Sequence, residues 1–196
     1  CHLRGVRVYL TLNTLLTDRE LAGAAEVAAH ASAIGVDAVI VQDLGVMRML
    51  RQTVPDLPIH ASTQLTIHSL DGVKRCADLG ASRVILAREL SLDEIREIRD
   101  KTPPELELEA FAHGAMCVSY SGRCLLSNYM TGRDSNRGAC AQPCRYQYAL
   151  MEEKRPGEYF PVYEDEKGTY IMNSRDMCMI DHLPDLIRAG VDSIKI

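Results

Sequence analysis

Features that would assign a protein to a class at once are missing from these 196 residues. No run of about eighteen apolar residues could form a transmembrane helix, and the opening stretch, CHLRGVRVYL, lacks the charged and then apolar layout of a signal peptide. We therefore expect a cytoplasmic protein with no membrane partner. Basic residues are not in excess either. The formal net charge of −5 argues against broad non-specific binding of nucleic acid, although a local basic patch could contact phosphates.

The motifs of common hydrolases are missing too. Neither HExxH, which binds a catalytic zinc, nor GxSxG, which presents a nucleophilic serine, occurs in the sequence. Hydrolysis needs such a nucleophile with its base, or a metal-bound water. A hydrolytic site would therefore have to be built from residues that no motif marks.

Both ends of the sequence look cut. It begins at Cys1 rather than at Met, and it stops at Ile196 within an apolar, strand-like run. We therefore expect an internal segment of a longer protein. Its length and composition are those of one ordinary globular domain.

A recurring phrase indicates the fold. A helix end, a glycine, a small or acidic pair and a β-branched run follow one another as AIGVDAVIV at 33–41, DLGASRVIL at 78–86 and RAGVDSIKI at 188–196. Each glycine suits the left-handed backbone at a helix end, and the apolar run after it is typical of a buried parallel strand. Further strand candidates lie at 6–12, 58–62 and 106–111.

Strands that alternate with helices predict a parallel sheet with right-handed crossovers. Thr17 with Glu20, and Ser91 with Glu94, have capping-box spacing and mark two helix starts. Six strand units with a cut N-terminus suit an α/β, TIM-barrel-like fragment, namely a (β/α) barrel that lacks its first two units. A doubly wound open sheet is the alternative.

The rhythm of strands and helices breaks once. We divide the chain into central βα units of the barrel at 1–112, a cysteine-rich insertion at 113–180 and a truncated final αβ unit at 181–196. An apolar run at 169–173 is expected to pair inside the insertion with 146–151 or 159–163. In either architecture the loops after the C-terminal strand ends build the active site, and the insertion directly follows such an end.

The cysteines carry the strongest chemical signal. Seven cysteines in a protein without a secretion signal are expected to be thiols or metal ligands rather than disulfides. The clustered ones read Cys117-x6-Cys124-x15-Cys140-x3-Cys144, and Cys178 follows. Packing of a hydrophobic core does not require so many thiols in so short a stretch. Such packing does explain Cys76, which lies on a predicted helix face.

Spacing alone leaves two metals open. Four thiolates bind zinc tetrahedrally or hold an iron–sulfur cluster. The close pairs of a usual zinc site are missing except for Cys140-x3-Cys144. Four arginines surround the thiols and could offset their negative charge, bind an anionic substrate or RNA phosphates, or simply form a solvated basic loop. They are Arg123, Arg133, Arg137 and Arg145.

A family resemblance rests on these same segments. EAFAHGAMCVSYSGRCLLS at 109–127, NRGACAQPCR at 136–145 and NSRDMC at 173–178 resemble the signature of the collagenase-like peptidases, family 32 of the peptidases of unknown mechanism. STQLTIHS at 62–69 and VDSIKI at 191–196 are similar to further family segments. The resemblance covers the whole chain, as the central and later part of the catalytic barrel.

This resemblance implies an oxygen-independent hydroxylase rather than a protease. Relatives hydroxylate a uridine at the tRNA wobble position, a cytidine of large-subunit ribosomal RNA, or a ubiquinone precursor. The resemblance implies RNA, either tRNA or rRNA, and a homologous subunit as partners, prephenate as co-substrate, and a [4Fe–4S] cluster rather than zinc. The implied ligands are Cys117, Cys124, Cys140 and Cys178, with Cys144 as the alternative.

Other site candidates rest on position. His113 follows a strand end and precedes Cys117, so it could act on substrate or be structural. Glu109 alternates with Glu107 and Glu105; pointing into a barrel mouth it could be a general base, and at a solvated strand edge it would have no such role. Candidate substrate-binding residues are His60, Gln64, Arg137, Arg145 and Arg175. Arg175 could bind a carboxylate of the hydroxyl donor, or it could form a salt bridge with Asp176.

Three functions therefore stay under consideration. The first is hydroxylation of RNA, the second is proteolysis, and the third is a non-catalytic scaffold whose metal site is structural.

Overall fold

The computed structural model describes residues 1–146, 148–161, 164–165, 168–169 and 176–196, and all structural statements refer to these residues. The helices are α1 Asp18–Ala33, α2 Leu44–Thr53, α3 Leu70–Asp78, α4 Leu92–Asp100, α5 Leu126–Thr131 and α6 Leu183–Arg188. The strands are β1 Tyr9–Leu12, β2 Ala38–Val41, β3 Ile59–Ala61, β4 Ala81–Ile85, β5 Glu107–Phe111, β6 His113–Ala115, β7 Ala149–Met151, β8 Tyr159–Pro161, β9 Glu164–Asp165, β10 Gly168–Thr169, β11 Asp176–Cys178 and β12 Ser193–Lys195. None of these helices is long and apolar enough to cross a membrane.

Six strands form one parallel sheet in the order β1-β2-β3-β4-β5-β12. Every neighbouring pair in it is parallel. The spatial order follows the chain order without the reversal that a doubly wound sheet shows. The predicted parallel α/β sheet is therefore confirmed, and it curls into a half-barrel.

Local signals set the helix boundaries as predicted. The backbone N–H of Ser91 donates to Glu94 over 2.7 Å, and the N–H of Glu94 donates back to the Ser91 hydroxyl over 3.3 Å. Thr17 and Glu20 form the second predicted capping box. The glycines after α1, α3 and α6 all have positive φ, between 82° and 88°. At Gly80, for example, a Cβ would also meet the side chain of Arg51 at 2.7 Å.

The two faces of the sheet differ in chemistry, because strand side chains alternate. The face toward the helices is apolar, and its fully buried members include Val39, Ile59 and Leu108, which pack in one cluster with Leu50 of α2. Burying each such side chain contributes about 1.5–3 kcal/mol. The opposite face carries polar groups, listed from β1 to β12 as Tyr9, His60, Arg83, Glu107, Glu109 and Lys195.

The connection between β5 and β12, residues 112–192, contains the clustered cysteines and is called the cysteine connection below. In it β6 pairs with β11, with Cys178 opposite His113. The strands β7 and β8 pair with one another as an antiparallel hairpin. The strands β9 and β10 pair in the same way, with Thr169 opposite Glu164. Residues 170–173 lie outside the described residues.

Candidate functional site

A cavity of about 300 Å³ lies at the C-terminal ends of the parallel strands. Its wall on the sheet side is built by residues at or just after those ends: Asn13, Gln64, Arg88, Phe111 and Lys195. The cysteine connection supplies the other wall. That wall includes four thiols, those of Cys117, Cys124, Cys140 and Cys144. The cavity is therefore where a parallel α/β sheet is expected to bind its ligands.

A glycine lets the loop between Cys117 and Cys124 approach the sheet. Gly122 has φ of +78°, and a Cβ on it would come within 2.6 Å of the Gln64 backbone oxygen. Close by, the Thr66 hydroxyl donates to the backbone oxygen of Ser121 over 3.0 Å. Because only glycine tolerates both the conformation and the approach, this loop is held against the end of β3.

Serine side chains hold the other cysteines in place. The Ser135 hydroxyl donates to the backbone oxygen of Cys124 over 2.6 Å. Ser127 of α5 is only 1% exposed, and its hydroxyl accepts the backbone N–H of Ala141, beside Cys140, over 3.0 Å. The first bond ties Cys124 to the turn at Ser135, and the second ties the segment that carries Cys140 to α5.

Hydrogen-bond donors point at the sulfur atoms. Arg88 Nη1 lies 3.7 Å from Cys117 Sγ, and the backbone N–H of Gln142 donates to Cys140 Sγ over 3.3 Å. Gln142 holds a left-handed φ of 55°, a conformation uncommon for a residue with a side chain. Such donors stabilise thiolate charge, as they do around ligated sulfur.

Burial raises the pKa of the Cys144 thiol. The thiols of Cys117 and Cys140 act in the same direction, whereas a hydrogen bond from the Val118 backbone lowers the pKa. Cys117 and Cys140 therefore lie near enough to Cys144 to disfavour its thiolate form.

The donor set fits a thiolate-bound metal or cluster in its chemistry. Each of the seven cysteines is a free thiol, and soft sulfur donors with nearby N–H groups suit zinc or iron with sulfide. Within the described part of the chain, however, no three His, Cys, Asp or Glu side chains already stand close enough to share an ion. Cys117 and Cys140 are exposed. A shared centre therefore requires some of these side chains to rotate toward it.

The fourth predicted ligand lies elsewhere in this structure. Cys178 is exposed on β11, opposite His113, and neither residue is among those that line the cavity, whereas Cys144 is. That Cys178 is a ligand stays a prediction, and so does the choice between Cys140 and Cys144. Cys76 lies apart from the cavity, on the buried face of α3, and is 3% exposed. Burial raises its pKa to about 11, which is typical of a structural cysteine.

Glu109 is buried, but both of its oxygens are engaged. Arg83 Nη1 donates to Glu109 Oε2 over 2.9 Å, and Lys195 Nζ lies 3.5 Å from Oε1. The Arg83 guanidinium also binds Glu107 at 2.6 Å. Two of the alternating glutamates thus share one charged face, and Glu109 holds cations in place rather than presenting a free carboxylate.

His60, predicted to bind substrate, is buried on the same face of the sheet and is not among the residues that line the cavity. Burial, and after it the charge of Arg83, lower its pKa to about 4, so the ring is neutral at neutral pH. The Tyr9 ring meets it edge-on at a centroid distance of 4.8 Å. Its Nδ1 is buried and makes no hydrogen bond to the described residues.

The arginines predicted to bind substrate have acidic partners. Arg137 pairs with Glu20 of α1 and donates to the backbone oxygen of Leu15 over 3.0 Å, and Arg145 pairs with Asp176 at 2.6 Å. Both guanidinium groups therefore fasten the cysteine connection in this structure, and their role toward substrate stays a prediction. Arg175 lies outside the described residues.

Sequence reasoning missed Arg88, Asn136 and Lys195, which line the cavity. The signal for Arg88 was available, because it follows the buried run of β4 as Gln64 follows that of β3. Asn136 lies in an irregular segment that no strand pattern marks.

A family model describes the whole of this chain. The model of Peptidase family U32 matches residues 1–196. The chain belongs to Peptidase family U32. The resemblance seen in the cysteine-bearing segments is thereby confirmed.

Several curated U32 relatives are similar over most of the chain. The tRNA hydroxylation protein P of Escherichia coli K12 is 40% identical over 83% of this chain and 44% of its own length. The 23S rRNA 5-hydroxycytidine C2501 synthase of the same organism is 40% identical over 100% of this chain and 28% of its own length. A protein of Methanocaldococcus jannaschii named uncharacterized protease MJ0090 is 42% identical, with coverages of 100% and 47%. The chain thus spans less than half of each of these relatives.

A solved structure supports the fold. The U32 peptidase Mk0906 superposes with a TM-score of 0.56 over 98% of this chain and 70% of its own, at 15% identity. Two of the segments that resemble the U32 signature, 109–127 and 136–145, supply much of the cavity wall. They supply its four thiols together with Phe111 and Asn136.

Proposed function

We propose that this chain is the metal-bearing part of an oxygen-independent RNA hydroxylase. The observation that carries the proposal is the cavity in which four free thiols meet the C-terminal ends of a parallel sheet. The names of the U32 relatives, which include a tRNA hydroxylation protein and a 5-hydroxycytidine synthase, support this reading. We further propose that the half-barrel is part of a TIM-like (β/α) barrel, that the substrate is a tRNA wobble uridine, and that prephenate is the co-substrate.

The bound group in this proposal is a [4Fe–4S] cluster, with zinc as the alternative. Cys117, Cys124, Cys140 and Cys178 would hold it, with Cys144 as the alternative to Cys140. A bound cluster supplies one-electron chemistry that protein side chains lack. Arg88 and the backbone N–H of Gln142 would stabilise the charge of the sulfur ligands.

The cations of the cavity wall are suited to hold anionic groups. The Arg88 guanidinium lies 4.2 Å from the centre of the Phe111 ring, and Lys195 Nζ lies 5.7 Å from it. Glu109 orients Lys195 through its ion pair. A carboxylate of the co-substrate or an RNA phosphate would bind between these two cations.

A comparison of Cys124→Ser with Cys76→Ala in the full-length protein tests the proposal. We expect Cys124→Ser to lose iron, sulfide and the hydroxylated nucleoside in cellular RNA, because a serine oxygen replaces a soft thiolate poorly. Cys76→Ala should keep all three. Unchanged hydroxylation in Cys124→Ser would overturn the proposal, and gelatin cleavage that survives metal removal and depends on His113 or Glu109 would favour a peptidase.

A matched pair of variants decides which of two neighbouring cysteines is a ligand. Cys140→Ser and Cys144→Ser should differ in iron content after purification without air, and the ligand is the residue whose loss lowers it; Cys178→Ser should lower the iron content as well. A colourless protein that retains one zinc ion would show that the site binds zinc rather than a cluster. A protein that loses its folded structure with the metal, and that neither hydroxylates RNA nor cleaves gelatin when the metal is bound, would instead be a scaffold with a structural metal site.

A further inference from the structure

Three buried polar atoms without a hydrogen-bond partner belong to residues that line the cavity. They are Gln64 Oε1, Arg88 Nε and Asn136 Oδ1. Buried polar atoms are paired in almost all native proteins, so each orphan needs an explanation. Gln64 and Arg88 stand at strand ends, and Asn136 faces them from the cysteine connection. The three residues thus form a polar wall of the cavity with unsatisfied groups, and a ligand with its own polar edge pairs with these groups once the side chains turn toward it.

The chemistry of this wall matches the edge of a nucleobase. A side-chain amide presents a donor and an acceptor side by side, and it pairs bidentately with a base that offers the reverse pattern. Gln64 and Asn136 supply two such amides. Tyr120 also lines the cavity and is 51% exposed, so its ring is available for a base to stack on.

The size of the cavity limits what can enter. Ligand pockets range from about 300 to 1,000 Å³, and this one, at about 300 Å³, lies at the lower end of that range. Four thiols take up one side of it. One six-membered ring therefore fits, whereas a stacked pair or a duplex does not. A base can reach such a cavity only after it leaves its stack.

We propose that Gln64 and Asn136 bind the hydrogen-bonding edge of one pyrimidine base that is extruded from an RNA loop. Arg88 Nε donates to the same ring, and Tyr120 stacks at the cavity mouth. This assignment rests on the proposed RNA hydroxylation and adds the residues that select the base. It places the ring between the polar wall and the thiols.

The test measures binding of stem-loop RNAs to the full-length protein. The RNAs carry uridine, cytidine or an abasic site at one loop position. The wild type should prefer uridine to the abasic RNA. Gln64→Leu and Asn136→Leu should each reduce that preference by about tenfold, in line with the discrimination of one bidentate pair. Iron content and binding of the abasic RNA should not change, and Gln52→Leu, an exposed glutamine on α2, should match the wild type.

A specificity change gives a second readout. Gln64→Glu removes the donor and keeps the acceptor, so it should shift the preference from uridine toward cytidine, whose amino group donates. If both leucine variants keep the uridine preference and Gln64→Glu leaves it unchanged, the inference fails and water alone satisfies the orphan atoms. If the wild type itself neither hydroxylates RNA nor binds iron, the proposed function fails instead.

Discussion

The helix-facing side of the sheet and the cysteine connection are stabilised in different ways. On the helix-facing side, fully buried residues such as Val39, Leu50 and Leu108 form one apolar cluster. In the cysteine connection, Leu125, Tyr129 and other large side chains are exposed, and short turns are joined by single hydrogen bonds. The helix-facing side of the sheet is therefore stabilised by apolar packing, whereas the conformation of the cysteine connection depends on a few close contacts.

The largest expected effect lies in the core. Leu50 is fully buried, so Leu50→Ala should lower the free energy of unfolding by about 2–5 kcal/mol. Leu125 is 70% exposed, so Leu125→Ala should change it by less than about 0.5 kcal/mol. Urea denaturation of both variants measures the difference. Equal losses would contradict the contrast between the two regions.

The free energy of unfolding should also depend on pH through His60, which lies on the polar face of the sheet. The pKa of His60 is about 4 in the folded chain against 6.5 as its ordinary value. The unfolded chain therefore takes up the proton first as the pH falls, and the stabilisation present above about pH 6.5 is lost toward pH 4. Between pH 7 and 4.5 we expect a loss of about 2 kcal/mol.

The corresponding variant should remove that loss. His60→Asn has no imidazole to protonate, so its unfolding free energy should fall by about 2 kcal/mol less than that of the wild type over the same interval. His30→Asn, at an exposed position on α1, should behave like the wild type. Parallel pH profiles for His60→Asn and the wild type would refute the assignment.

A glycine pair tests how the cysteine connection is positioned. Gly122 and Gly132 both have positive φ, but only at Gly122 would a Cβ strike the sheet side of the cavity. Substitution by alanine at either position should lower the free energy of unfolding by about 1–2 kcal/mol, because the left-handed backbone conformation is strained for a residue with a side chain. Gly122→Ala should lower the free energy of unfolding more than Gly132→Ala does, and it should also reduce the iron content. Equal iron content in the two variants would show that the close approach to Gln64 does not position the thiols.

The smallest expected effect is that of an exposed ion pair. Arg137→Ala and Glu20→Ala each remove the contact between the cysteine connection and α1. Since surface pairs contribute little and are screened by salt, the coupling between the two changes should be small and should vanish at high ionic strength. A double-mutant cycle in urea at low and high salt measures it. A large, salt-independent coupling would mean that this pair stabilises the segment far more than its exposure suggests.

The main sheet was predictable because its signals are local. The glycine phrase marked the helix ends before β2, β4 and β12, and the capping boxes marked α1 and α4. Each depends on neighbours within a few residues, so no tertiary information was needed. The pairing of strands inside the cysteine connection was not predictable in the same way, because several apolar runs of similar length compete to pair, and sequence does not rank them.

The candidate site was only partly predictable. The crowding of the cysteines indicated a metal site, and the strand-end rule indicated Gln64. The partners of Arg137 and Arg145 could not be read from the sequence, because Glu20 lies 117 positions from Arg137 and nothing local links them. The same holds for Asn136, which reaches the cavity only through the path of the cysteine connection.

By itself the sequence determined the order of strands and helices, the thiol-rich character of the site and the family resemblance, since each depends on residue type and near neighbours. Only the tertiary structure decided that Cys144 lines the cavity while Cys178 pairs opposite His113, and that Glu109 is held between Arg83 and Lys195. These outcomes depend on how the curled sheet brings distant strand ends together. The physical reason is that burial and charge pairing act over distances in space, which the linear spacing of residues does not encode.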